Sequence, residues 1–154
     1  MPLKNKDISS LCLKWANHDE SAARFLENIA ALARLGDDLA DGDASNPHAY
    51  MADLLFRALI VHSSNDFFMR HREALTPVIA NAINMWALSE EWKDSSNRKT
   101  RMFAFVHRES VEQIVGAVSM LTGGPVNARQ ALRELHQLSH IQGSDESFED
   151  WESA

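Results

Sequence analysis

A single cysteine, Cys12, in 154 residues rules out an intrachain disulfide and a Cys-rich zinc site. It lies in an apolar segment without a neighbouring base, so it reads as a buried thiol rather than a nucleophile. No apolar run approaches the roughly 18 residues needed to span a bilayer. The N-terminal Met-Pro-Leu-Lys-Asn-Lys-Asp lacks the apolar centre of a secretory signal. A Walker-type Gly-Lys-Ser/Thr loop, a dinucleotide GxGxxG pattern and a nucleophile elbow are also missing. Basic residues are in short supply, with 15 Lys and Arg against 22 Asp and Glu and a net charge of −7. That balance argues against a nucleic-acid partner. The deficit is concentrated at the end of the chain, where Asp145, Glu146, Glu149, Asp150 and Glu152 meet no Lys or Arg. Without those five acids the remainder carries about −2, which leaves room for a basic patch. The expectation is a cytoplasmic protein with no membrane segment.

Apolar residues make up 45% of the chain, enough at this length for one packed domain. Their periodicity is helical, and no segment alternates as a strand does. Asp7 is placed to cap a first helix with Ile8, Leu11 and Trp15 inward. Asp19 is placed to cap a second, running to about Asp41. Asn46-Pro47 opens a strongly apolar helix over 47–62, expected at the centre of the fold. Asn65 and Asp66 cap a short segment over 67–72, and Thr76-Pro77 opens another helix with Val78, Ile79, Ala82, Ile83 and Trp86 inward. A helix over 98–122 stops at Gly123-Gly124-Pro125, and Asn127 caps a last one to about Ile141. The fold class is therefore all-α, a single-domain bundle of five to seven helices over residues 1–141. Residues 142–154 read as an acidic, disordered tail.

Two acidic groups stand out. Asp37, Asp38, Asp41 and Asp43 fall within seven residues at the end of the second helix. Their three- and four-residue spacings let side chains converge beside one turn, where a hard cation such as Mg²⁺ relieves the repulsion. Met102, Phe105, Glu109, Glu112, Gly116 and Ser119 share one face of a continuous helix. Burying Glu109 and Glu112 there without a partner costs several kcal/mol each, so they require a cation, an Arg or water. A Mg²⁺ between the two groups satisfies both. Arg108, and Arg72 in the basic cluster Arg70-His71-Arg72, are the candidates for holding an anionic ligand. His136 and His140 are four apart, usable zinc geometry, but no third ligand is near in sequence. Solvated acids on helix ends and grooves are the alternative throughout.

Asp37-Asp38-Leu39-Ala40-Asp41 resembles the DDxxD motif of class I isoprenoid synthases. In that all-α family, such aspartates hold Mg²⁺ against a prenyl diphosphate. The resemblance covers five residues, and this chain is about half the usual length and lacks a second Asp-rich motif. The order of LGDDLADGD, NDFFMRHREALTPVI and AFVHRESVEQIVGAVSMLTGG resembles small uncharacterised bacteriophage proteins, which implies no particular activity. The pairs Glu109/Glu112 and Asp38/Asp41 are similar to the ExxE and ExxD pairs of all-α nucleotide pyrophosphatases, in reversed chain order. The leading expectation is thus a phage-type protein with a Mg²⁺ site at Asp37, Asp38, Asp41, Glu109 and Glu112. Its ligand would be a phosphate or diphosphate, with any enzymatic step a Mg²⁺-dependent reaction on such an ester. The rival expectation is a non-catalytic interaction protein, homodimeric or partnered through its acidic tail.

Overall fold

A computed structural model describes residues 5–142 and 146–154, with side chains from residue 7 onward. Its helices are α1 (Asn5–Trp15), α2 (Glu20–Ala40), α3 (Pro47–Phe56), α4 (Asp66–Lys93), α5 (Arg98–His107), α6 (Glu112–His136) and α7 (Phe148–Ser153). A π-helical turn extends α3 over Arg57–Val61 and another extends α6 over Gln137–Ile141. No strand occurs among the described residues. The all-α, single-domain bundle expected from the periodicity is what forms.

Helix starts follow local chemistry. The side chains of Asp19, Asn46, Asn65 and Asn97 accept the backbone N–H three residues on, at 2.9, 3.1, 2.8 and 3.3 Å. Each satisfies an otherwise orphaned donor of the first turn. Pro47 occupies the first turn of α3, where its missing N–H costs nothing.

The core forms where α1, α2, α4 and α6 meet, around Cys12, Trp15, Phe25, Leu26, Phe67, Leu75, Ile114, Val118 and Leu135. Phe25 stacks on Phe68 with ring centroids 6.0 Å apart and meets Phe67 at 6.1 Å. A kink at Gly124, with φ of +79°, folds the second half of α6 back onto the first. The kink is pinned by the Trp15 carbonyl, which accepts from Ser119 Oγ at 2.8 Å and from Asn127 Nδ2 at 3.2 Å. Asn127 is therefore a tether and not the cap expected of it.

Four expectations are corrected. The segment 47–62 is not central: α3 and its π-helical continuation bury no residue and pack chiefly against α2. Thr76-Pro77 opens no new helix, because α4 runs through Pro77 with its kink earlier, at His71; within it, Ile83 and Trp86, both expected inward, are 59 and 36% exposed. The helix over 98–122 is broken after α5 by a tight turn. There, Glu109, Ser110, Glu112, Gln113 and Ile114 each donate a backbone N–H to the carbonyl three residues earlier. Nor is the acidic end without structure, as far as it is described. Residues 148–153 form α7, whose Trp151 is buried against Phe105 at 5.4 Å. Ion pairs from Arg98 and Arg101 to Glu152, and from Arg98 to Glu149, hold α7 to α5. Asp145 lies outside the described residues.

Candidate metal centre

The break after α5 rearranges the acids that a continuous helix would have lined up. Glu109 sits in the turn and Glu112 is the first residue of α6. His140 lies in the π-helical turn at the other end of the same chain segment, closed by the Gln142 N–H on the Gln137 carbonyl at 3.0 Å. Since α6 doubles back at Gly124, its last turn returns to its first. Glu112 Oε1 and His140 Nε2 meet at 2.7 Å. One ligand atom from each of Glu109, Glu112 and His140 lies within 4.8 Å of the others, the one such group among the described residues. All three side chains are partly buried, Glu112 most deeply.

Electrostatics at this cluster favour neutralisation. Burial pushes the Glu112 carboxyl above its ordinary pKa and Glu109 pushes in the same direction, while His140 and, more remotely, His136 pull it back. Two carboxylates at such a separation repel by on the order of 3 kcal/mol at an effective dielectric constant of about 20. The hydrogen bond to His140 offsets part of this, about 1–3 kcal/mol when one partner is charged. Ser139 Oγ, next to His140 in the chain, is buried without a hydrogen-bond partner among the described residues. Arg108 Nε, also buried, makes no hydrogen bond beyond its 3.4 Å ion-pair approach to Glu109. Native interiors leave few such atoms unsatisfied.

Of the aspartates at the end of α2, Asp37 lies near enough to Glu109 for their charges to interact, and none joins this group at ligand distance. Asp37 is exposed as a residue, yet its carboxylate is partly desolvated against the Trp86 indole. Desolvation, then Asp41 and Glu109, raise its pKa, and the indole donor acts in the opposite sense. Asp37 and Glu109 therefore feel one another's charge. Asp38 is half-buried and lies 3.9 Å from Arg34, with its carbonyl accepting from Asp43 and Ala44. Asp41 closes α2, donating its N–H to the Asp37 carbonyl at 2.9 Å. It is exposed.

The two arginines expected to receive an anion are placed differently. Arg108 hydrogen-bonds Glu146, approaches Glu109 at 3.4 Å and stacks over the Phe105 ring at 4.6 Å. Its charge is already committed. Arg72 is exposed on α4 just past the kink, and no hydrogen bond or ion pair among the described residues joins it to the cluster. His140 is the residue sequence reasoning left out of the acidic site. Its four-residue spacing from His136 was the available signal, and their rings lie 5.1 Å apart. Cys12 is buried, and desolvation followed by Glu27 pushes its thiol up to about 12, far from nucleophilic character. The chain matches no family model, no curated protein and no solved structure.

Proposed function

We propose that the protein binds a divalent metal ion through Glu109, Glu112 and His140, with Asp37 as a nearby charge that strengthens the attraction. The observation that carries this reading is the convergence of two carboxylates and one imidazole within 4.8 Å. An imidazole suits Mn²⁺, Fe²⁺ or Zn²⁺ better than Mg²⁺, which prefers oxygen ligands and retains its water. The expectation of Mg²⁺ at Asp37, Asp38 and Asp41, assisted by Glu109 and Glu112, is thereby redirected to a first-row transition ion at Glu109, Glu112 and His140, with Asp37 nearby. Three protein ligands leave coordination positions for water or a phosphate oxygen. A reaction on a phosphate or diphosphate ester remains the enzymatic form of the proposal.

Thermal-shift and calorimetric titrations with Mn²⁺, Zn²⁺ and Mg²⁺ test it. Wild type should be stabilised by Mn²⁺ or Zn²⁺ at lower concentrations than by Mg²⁺, and Glu112→Gln and His140→Ala should each abolish the response. Asp37→Asn/Asp41→Asn should weaken it without removing it. Loss in the double Asp variant alone would return the ion to the end of α2. Absence of any metal response in wild type at millimolar concentrations would overturn the proposal.

A further inference from the structure

Residues 47–61 are apolar nearly all round, a pattern that belongs to a helix covered on every side. Only one side is covered here. Leu54, Arg57 and Ala58 face α2, where the Asn28 side chain bonds the Arg57 carbonyl at 3.4 Å and fixes the rotation of the segment. On the opposite half, Met51, Leu55, Phe56, Leu59 and Ile60 are 46, 48, 58, 65 and 52% exposed. Their spacing of one, three and four residues makes them one continuous face, interrupted by small alanines and His48.

We propose that this face is the interface of a homodimer, in which α3 and its π-helical continuation pack against the same segment of a second copy. Area supports a second copy as the occupant. Taking about 200 Å² for each large side chain, the face leaves on the order of 500 Å² of apolar surface bare per protomer, at the upper end of what monomers tolerate. A two-fold pairing doubles that to about 1,000 Å² before flanking atoms are added, which reaches the size of a specific interface. Charge agrees. The segment carries one acid and one base, Asp53 and Arg57, joined to each other at 3.1 Å. An isologous contact therefore sets no unpaired like charges against each other. A membrane surface would call for several Lys or Arg flanking the apolar face, and Arg57 is the segment's one strongly basic side chain.

Sedimentation velocity of the full chain from about 1 to 100 µM, a range that brackets micromolar association, tests the inference. Wild type should sediment as a dimer or as a concentration-dependent monomer–dimer mixture. Leu59→Lys and Phe56→Glu, each at a position already open to water, should weaken association at least tenfold while leaving the helical circular dichroism unchanged. A wild type that stays monomeric throughout would overturn the proposal, including one that instead co-sediments with anionic vesicles. Dimers that persist in both variants would overturn the placement on α3. This outcome is independent of the metal response, because α3 contributes no residue to the Glu109–Glu112–His140 group.

Discussion

Single residues decide two features of this fold, and each decision is measurable. Gly124 holds φ of +79° with ψ of −175° immediately before Pro125, a positive-φ extended conformation that is open essentially to glycine alone. Space is not the obstacle, since nothing lies within 4 Å of where that Cβ would sit. Gly124→Ala should therefore cost about 1–3 kcal/mol through backbone strain alone, lowering the melting temperature by about 2–4 °C per kcal/mol for a chain of this length. A melt without change would show that α6 can straighten there. Glu134 tests the α1–α6 contact. It accepts from Lys14 Nζ at 2.6 Å and Trp15 Nε1 at 2.9 Å. Desolvation works against its charge, but the two donors prevail and set its pKa below the ordinary glutamate value. A depressed acid stabilises the native state above its unfolded pKa, and that contribution fades as pH falls through the folded one. The stability lead of wild type over Glu134→Gln, read from urea denaturation, should be present at neutral pH and narrow below about pH 4. A lead independent of pH would place the effect in packing instead.

Among the elements, α7 illustrates how a short helix is held. Six residues do not sustain a helix alone in water, and α5 is the main neighbour of α7. Exposed ion pairs such as Arg98–Glu149 contribute about 0–1 kcal/mol each, whereas removing a well-packed Trp costs about 3–5 kcal/mol. Trp151, 9% exposed among Phe105 and Phe148, is therefore the anchor. Trp151→Ala should raise hydrogen exchange and protease cleavage most strongly across 146–154 and also lower the global melt, and Glu149→Gln should do neither. Equal effects from both would mean that charge, not packing, docks the helix. The same weighing explains which elements the sequence disclosed. Side-chain caps such as Asn46, Asn65 and Asp19 act within three residues, so helix starts were readable. The turn at 108–111 contains neither Gly nor Pro and carries no local signal. The apolar run 47–62 was expected inside, but burial depends on which neighbours arrive. Here α2 covers one side of it, and α4 reaches only its end, where His62 meets Phe68 at 4.0 Å. Composition pointed to a disordered acidic tail, but the bases that receive it lie about fifty residues away, on α5.

At the scale of the whole molecule, the proposed metal centre is a consequence of the α6 kink. Glu109 and Glu112 were legible as a pair from their spacing. Their meeting with His140, 28 residues beyond Glu112, follows from a reversal at Gly124 that brings the two ends of α6 together. The aspartates of α2 drew attention because like charges cluster in sequence, yet their side chains divide among Arg34, Trp86 and solvent. An ion bound at Glu109, Glu112 and His140 would tie the turn after α5 to the π-helical turn after α6. By mass action it stabilises the native state by about 2.7 kcal/mol when free metal exceeds its dissociation constant a hundredfold. That stabilisation has an address: amide exchange should slow together in the segments 108–114 and 137–142, two stretches far apart in sequence. The helix 47–61, which shares no ligand with the site, should slow only to the extent that global unfolding does. His140→Ala should remove the protection from both ligand segments at once, because losing one of three ligands unties the two turns from each other. Slowing confined to 37–43 would instead place the ion among the aspartates of α2, and a uniform change across the chain would mean that the metal acts on the native state without a localised site.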